Sequence, residues 1–301
     1  MSQLFAVRGI ITALVTPFTS RGEVDEDSLR EIVLFQLKSG VNGLFVNGTT
    51  GLGPVMSPDQ RKRVAEITVQ ETKRRIPVIV QVGGVDPEVC LNLATHAEKI
   101  GSDAVASVTP FYYQPGEEAL IEHYRKLSEA TNLPIFVYNI PRNTGNNVDA
   151  SLLLRLSKVP RVIGIKDSSR DFSQLLDYLH VVPDGFNVVN GTDSYQFSAF
   201  CAGVQAGVSA TANVIPELFV EMYNSYKARS FEEGKALQSK IHAARTAMSK
   251  PPIAPLLEAL RMRGLRGGSV KAPLRSMTKT EIEILHESLS RILPEIKLVR
   301  G

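Results

Sequence analysis

Short apolar runs recur along the 301-residue chain, apolar on both faces rather than alternating. They fall at residues 9–15, 43–46, 78–82, 104–107, 135–138, 162–166, 187–190 and 207–210. Strands covered on both sides read this way, as parallel strands between helices do, whereas a half-exposed strand alternates with period two. Helix patterns lie between the runs. Over 25–39 the apolar residues Leu29, Ile32, Val33, Phe35 and Leu37 predict an amphipathic helix. Ser57-Pro58-Asp59-Gln60 is a helix start, with serine as N-cap, proline at the first helical position and glutamine placed to close a capping box. Asp86-Pro87-Glu88 and the stretch 149–156 start others. Beyond Pro216 the pattern is helical throughout, over 216–229, 231–247, 253–263 and 280–293.

Eight strands alternating with helices over roughly 210 residues is the count of an α/β chain closed as a (β/α)8 TIM barrel. The helices after Pro216 exceed what closes a barrel. The expectation is a catalytic barrel over 1–228 and a C-terminal helical appendage over 229–301. An open doubly wound sheet is the structural alternative. It calls for a glycine-rich dinucleotide turn, and Gly48-Thr49-Thr50-Gly51-Leu52-Gly53 lacks that spacing.

A net charge of +3, spread along the chain, gives no nucleic-acid footprint. The basic stretches Lys62-Arg63, Lys73-Arg74-Arg75 and 261–266 are read as solvated helix faces and ends. Cys90 and Cys201 stand far apart and fit no metal or redox spacing. Cys201, in apolar surroundings, is expected in the core. The N-terminus lacks a basic region followed by an apolar run, and no stretch is long enough to span a membrane, so a cytoplasmic chain is expected.

Candidate chemistry starts at Lys166, which ends the run Val162-Ile163-Gly164-Ile165. Taken alone it is a lysine reaching solvent from a strand end. Held in an apolar barrel mouth, it loses charge and becomes an amine nucleophile toward a ketone. Barrel active sites sit where strands end, and the strand ends supply the context. Strand 2 runs into Asn47-Gly48-Thr49-Thr50-Gly51, strand 5 into Tyr138-Asn139-Ile140-Pro141, strand 6 into Lys166-Asp167-Ser168 and strand 7 into Gly191-Thr192-Asp193. No acidic cluster is present, and His96, His123, His180, His242 and His286 fall on helix patterns, so no metal site is expected. Lys166 can attack a keto carbon to give an imine, and Tyr138 is the acid–base group on the adjacent strand. Tyr138 reads equally as a core tyrosine with its hydroxyl satisfied locally. The Gly-Thr-Thr-Gly turn could hold a carboxylate on backbone N–H groups and hydroxyls, which suggests a 2-oxo acid such as pyruvate. Either threonine alone is ordinary turn chemistry.

Six segments together resemble one family. They are Thr12-Ala13-Leu14-Val15-Thr16-Pro17-Phe18, Gly48-Thr49-Thr50-Gly51, Thr109-Pro110-Phe111-Tyr112-Tyr113, Tyr138-Asn139-Ile140-Pro141, Gly164-Ile165-Lys166-Asp167-Ser168 and Lys271-Ala272-Pro273-Leu274. Over nearly its whole length the chain is similar to the class I pyruvate-dependent aldolases and lyases grouped with dihydrodipicolinate synthase and N-acetylneuraminate lyase. The resemblance implies a (β/α)8 barrel with C-terminal helices, no cofactor beyond the covalent imine, and a homotetramer built as a dimer of dimers. It implies Lys166 as the Schiff-base residue and Tyr138 as proton shuttle. Thr49 and Thr50 would bind the pyruvate carboxylate. Tyr112 would enter the neighbouring subunit's site and complete a hydroxyl relay with Thr50.

Departures from the synthases point to the substrate. They carry an arginine two residues after the proline of the Tyr-Asn-x-Pro motif, where this chain has Asn143. Arg142 is one residue early, and on an extended segment that shift turns the side chain the other way. Their Gly-Thr-Thr-Gly turn is followed by glutamate, here Leu52. N-acetylneuraminate lyases have an acidic pair after strand 7, where this chain has only Asp193. Residues 44–54 look closest to the 2-keto-3-deoxygluconate aldolases of the family, which bind sugar hydroxyls through positions matching Ser168 and Asp193. Those aldolases can carry a second tyrosine where this chain has Ile140. The expected substrate-binding set is Thr49, Thr50, Ser168, Gly191, Asp193 and Val208, in a neutral, hydroxyl-rich pocket. The reading is an aldolase that splits a 2-keto-3-deoxy sugar acid into pyruvate and an aldehyde such as glyceraldehyde. A dihydrodipicolinate synthase-like condensation, a sugar-acid dehydratase and a non-enzymatic pyruvate or sugar-acid sensor compete with it.

Overall fold

The computed structural model describes residues 5–299. The outer ends of the expected spans 1–228 and 229–301, and the first four residues read for an export signal, lie outside the described residues. Eight strands form one closed, all-parallel barrel: β1 (Gly9–Ala13), β2 (Gly43–Val46), β3 (Val78–Gln81), β4 (Ala104–Val108), β5 (Ile135–Asn139), β6 (Val162–Asp167), β7 (Asn187–Asn190) and β8 (Ala206–Ser209). Each pairs with the next, and β1 closes on β8 from Gly9↔Ala206 to Thr12↔Ser209. Both faces are buried, as the unbroken apolar runs require. Ile11, Phe45, Ile79, Phe136, Tyr138 and Val189 fill the interior. Ile10, Leu44, Val137, Ile165 and Val188 pack outward under the helices.

The helices that follow the first four strands are α1 (Glu26–Lys38), α2 (Pro58–Thr72), α3 (Pro87–Lys99) and α4 (Glu117–Ala130). The β5–β6 connection holds α5 (Pro141–Thr144) and α6 (Ala150–Leu156). Then come α7 (Phe172–Val181), α8 (Gln196–Cys201) and α9 (Pro216–Lys227), which completes the ring. Beyond it lie α10 (Phe231–Ala247), α11 (Ala254–Met262) and α12 (Lys279–Ile292). The expected boundary at 228/229 falls between α9 and α10. Side chains start the helices where the sequence places them. Asp25 accepts from the Ser28 amide, and Ser57 and Gln60 form a reciprocal capping box.

Three local expectations differ. The first strand stops at Ala13 because the Val15 amide donates instead to Asn213 Oδ1, at 3.0 Å. The last strand starts at Ala206, and Ala210 already leads into a 3-10 turn over Thr211–Asn213. Cys201 is exposed rather than in the core, because it ends α8 on the face away from the buried Phe197, Ala199 and Phe200; Cys90 is the buried cysteine. All five histidines lie in helices. His123 of α4 is packed inward, with Nε2 2.9 Å from Ser107 Oγ, and burial pushes its pKa down to about 4. Among the described residues no helix is long and apolar enough to cross a membrane.

Candidate active site

Lys166 sits at the C-terminal end of β6, in register with Tyr138 on β5 and Val189 on β7. Residues in register on neighbouring strands share a face, so the lysine points into the barrel mouth. It is 5% exposed. Its Nζ lies 4.0 Å from the centroid of the Phe45 ring and 3.9 Å from that of Tyr138. Among the described residues no carboxylate lies within ion-pair distance of it. Burial lowers its pKa, against smaller opposing effects of Tyr138 and Asp193. The result is an amine biased toward its neutral, nucleophilic form.

Tyr138 is buried edge-on against Phe45, and its hydroxyl lies 3.2 Å from Thr49 Oγ1, so the threonine in contact with it is Thr49 and not Thr50, on which the relay was expected. Thr49 and Thr50 are half-buried in the turn after β2. That turn can be built only with small residues at particular points. A Cβ on Gly53 would stand 1.9 Å from the Asn47 carbonyl oxygen, and one on Gly51 2.9 Å from that of Leu14. Asn47 takes the left-handed conformation at φ 60° and donates from Nδ2 to the Arg61 carbonyl, at 2.8 Å. Leu52, at φ 58°, puts an apolar side chain on the cavity wall.

The far side of the cavity comes from β6, β7 and β8. A Cβ on Gly191 would stand 2.1 Å from Ser168 Oγ and 3.3 Å from Lys166 Cε, so only glycine lets the two strand ends approach. Ser168 Oγ is 3.5 Å from the Gly191 carbonyl oxygen, too far for a firm hydrogen bond. Asp193 is buried. One carboxylate oxygen, Oδ2, accepts from the Thr211 amide at 3.3 Å, while Oδ1 is buried with no partner. Burial raises the Asp193 pKa, opposed by the Thr211 amide, the neighbouring Thr211 and Ser209 hydroxyls and the Arg245 charge. Thr192 Oγ1 is likewise buried and unpartnered. Val208, with Ala13, supplies an apolar wall.

These residues border one cavity of about 1010 Å³. It brings together Thr49, Thr50, Tyr138, Lys166, Ser168, Gly191, Asp193 and Val208. Tyr112 is outside it: at φ 79° and 85% exposed, it stacks edge-on against Tyr113 on the surface. The expected neutral pocket is corrected. Arg142 lines the cavity beside Asn143, because Pro141–Thr144 is a helical turn rather than an extended segment, so the one-residue shift does not turn the side chain away. Proline at the first helical position and Gly145 as the left-handed cap were the sequence signal for that turn. Arg170 and Arg245 also face the cavity. Sequence reading missed both, and nothing local marks Arg245, which arrives by docking of α10. Gln238 fixes that docking, donating to the Asp193 carbonyl and accepting from the Phe197 amide, each at 2.8 Å. Among the described residues no three His, Cys, Asp or Glu side chains gather as metal donors.

Residues 6–292 match the model of the dihydrodipicolinate synthetase family. The chain is 32% identical over 295 residues to the 4-hydroxy-tetrahydrodipicolinate synthase of Syntrophus aciditrophicus, covering 97% of this chain and 99% of that one. It is 33% identical over 285 residues to an uncharacterized DapA-like lyase of Halobacterium salinarum, covering 94% and 93%. Its fold superposes on the crystal structure of the Thermotoga maritima dihydrodipicolinate synthase with a TM-score of 0.90 at 33% identity, covering 96% and 99%. A closed barrel with a buried lysine at its mouth and a match along almost the entire sequence have one common explanation: the chain belongs to the dihydrodipicolinate synthetase family, carbon–carbon lyases that act on pyruvate through a lysine Schiff base and need no added cofactor.

Proposed function

We propose that the chain is a class I aldolase that reversibly cleaves 2-keto-3-deoxygluconate, or a close analogue, to pyruvate and an aldehyde such as glyceraldehyde. One observation carries the choice: Asp193 Oδ1, buried and unpartnered in the cavity that holds Lys166, is an acceptor waiting for a hydroxyl. Thr192 Oγ1 and Ser168 add further polar partners for a polyol.

Neutral Lys166 Nζ attacks the C2 ketone, and loss of water gives the iminium. Tyr138 gives its hydroxyl proton to the departing water, and the resulting phenolate, in contact with Thr49, takes the proton of the C4 hydroxyl and later returns it at C3. The C3–C4 bond then breaks, its electron pair entering the iminium to form an enamine as the aldehyde leaves. Protonation at C3 and hydrolysis release pyruvate and the free amine. Thr49 and Thr50 hold the C1 carboxylate throughout, and the apolar wall of Val208 and Ala13 limits water. The proposal includes the division into a barrel through residue 228 and an extension from 229. It also includes a cytoplasmic homotetramer in which Tyr112 reaches a neighbouring site, which the exposure of Tyr112 and Tyr113 supports; family members are typically oligomeric.

A second reading, condensation of pyruvate with an aldehyde as in the synthases, gains support from Arg142 on the cavity wall and from the names of the relatives. Borohydride trapping with pyruvate, read as intact mass, is run beside pyruvate release from 2-keto-3-deoxygluconate. An adduct on Lys166 with pyruvate release supports the aldolase. An adduct without release, with pyruvate consumed in the presence of aspartate semialdehyde, moves the assignment to the synthase.

A further inference from the structure

Asn139 and Asp167 are the residues next after Tyr138 and Lys166, at the ends of β5 and β6. Side chains alternate along a strand, so these two point away from the mouth, toward the helices. Both are completely buried. They are in register and bonded to each other: Asn139 Nδ2 donates to Asp167 Oδ1 at 3.0 Å. The reactive pair on the inner face of the strands is backed by a bonded pair on the outer face.

The bond has a fixed direction. The Val148 amide donates to Asn139 Oδ1 at 3.1 Å, which leaves Nδ2 as the end that meets Asp167. Nδ2 also lies 2.9 Å from Asn147 Oδ1 and 3.2 Å from the Tyr178 hydroxyl, which itself donates to the Val148 carbonyl. The second Asp167 oxygen, Oδ2, accepts from Ser169 Oγ at 2.7 Å and from the Ser169 amide at 3.4 Å. Burial raises the Asp167 pKa, and the Ser169 and Asn139 hydrogen bonds oppose it. Each of these groups meets the carboxyl as a donor, the arrangement an ionised acceptor takes.

The ladder between β5 and β6 leaves this bond a task. Ile135 pairs with Val162 but Phe136 with Gly164, so β6 carries one extra residue, Ile163, near its start. A bulge of this kind disrupts the ladder locally and increases its twist. The register of Tyr138 with Lys166 is therefore not inherited from the start of the strands. It is set again beyond the bulge, where Asn139 and Asp167 join.

Resting on the reading of Lys166 as the Schiff-base lysine and Tyr138 as the proton carrier, we propose that Asn139 and Asp167 are positioning residues. They form a clamp on the back of β5 and β6 that keeps the Lys166 amine and the Tyr138 hydroxyl aligned on one bound carbon chain.

The test separates alignment from stability, and pyruvate alone suffices for it. Tyr138 gives its proton to the water that leaves as the iminium forms on Lys166. In D2O the phenolate then takes a C3 proton, and the C–H electron pair forms the enamine and neutralises the nitrogen. The tyrosine exchanges with solvent and returns a deuteron to C3, so hydrolysis releases deuterated pyruvate. Deuterium entry into the methyl group is read by NMR and divided by the fraction of full-length chains that borohydride traps on Lys166. That ratio counts competent sites only, so a variant that merely folds less well does not move it.

Asn139→Asp sets two carboxylates against each other, and the double variant Asn139→Asp/Asp167→Asn restores one amide facing one carboxylate. The expected exchange rate per trappable site is about tenfold lower in Asn139→Asp, short of the roughly hundredfold that a full 1 Å misplacement costs. The half-saturating pyruvate concentration stays within about threefold, because the threonine turn is untouched, and the double variant returns to within about threefold of wild type. Ser169→Ala removes one donor from Asp167 and leaves both strands alone. It lowers the same ratio by about threefold, the worth of a single hydrogen bond, and carries the test if Asn139→Asp fails to fold. A ratio unmoved in every variant that folds, or a double variant as slow as Asn139→Asp, overturns the clamp. Wild type that traps no pyruvate on Lys166 refutes the Schiff-base reading itself and the clamp with it, a result distinct from trapping with unmoved exchange.

Discussion

Replacing Tyr138 by phenylalanine removes one oxygen and almost nothing else. The ring stays in its slot, edge-on to Phe45 at 5.6 Å and under Lys166 Nζ at 3.9 Å. What is lost is the 3.2 Å contact to Thr49 Oγ1 and the proton the hydroxyl carries. A neutral hydrogen bond contributes about 0.5–1.5 kcal/mol to folding, a fraction of the 5–15 kcal/mol typical of a domain, so the variant folds. Positioned general acid–base groups are worth about 10²–10⁴ in rate. Even the lower figure is about 2.7 kcal/mol of barrier, well beyond the cost to folding. Tyr138→Phe should therefore lower kcat by about a hundredfold or more while KM moves only a few-fold. The assay is pyruvate release coupled to NADH oxidation by lactate dehydrogenase, with a thermal melt on the same sample. A loss below about threefold, with the melt unchanged, refutes the assignment and gives the proton to water or another group.

Lys166→Met should abolish borohydride trapping and turnover; undiminished turnover would sink the imine mechanism. It should also raise the melting temperature at pH 7. Burial lowers the lysine pKa from 10.5, so below that pH the folded chain binds fewer protons than the unfolded one. The lysine's contribution is fully favourable only above pH 10.5 and is lost as pH falls through the lowered value, so the gain from methionine shrinks as the melt is moved toward pH 10.5. His123, buried neutral with a pKa near 4 against 6.5 unfolded, stabilises the fold fully above pH 6.5. About 3 kcal/mol should drain away between 6.5 and 4, and His123→Gln should flatten that slope in denaturant titrations against pH. Asp193→Asn keeps the acceptor to the Thr211 amide but loses the charge, and should raise KM for the sugar acid by about tenfold; an unmoved KM removes Asp193 from the binding role.

The barrel was legible because its strands are buried on both faces, and 162–166 or 187–190 cannot then alternate. The helix starts at Ser57 and Asp25 were legible because a cap is local chemistry, read within three or four residues. Lys166 beside Tyr138 followed from strand order, since consecutive strands of a barrel are neighbours and their last residues share the mouth. Arg142 was misread because Pro141 is followed by a single helical turn and not by extended backbone, and that turn carries both Arg142 and Asn143 to the cavity. Cys201 was misread because an apolar neighbourhood in sequence does not say which way the last residue of a short helix faces. Arg245 was beyond reach: its place depends on how α10 docks on the turn after β7, through Gln238, a contact between residues 45 apart. Tyr112 lies outside the cavity of its own chain, exposed beside Tyr113 on the surface.

The closing seam between β1 and β8 bears on how the chain is made. Asn213 ties the Val15 amide and the Ala13 carbonyl across 198 and 200 residues of sequence. At about 5–20 residues per second, synthesis leaves the open edge of β1 waiting roughly 10–40 s for its partner. Throughout that interval a ready template for strand pairing is exposed on the nascent chain. Polysomes and truncated chains ending before residue 206 are consequently the species in which this protein is most prone to aggregate and most dependent on chaperones, and the final release of 206–213 is the event that ends the hazard.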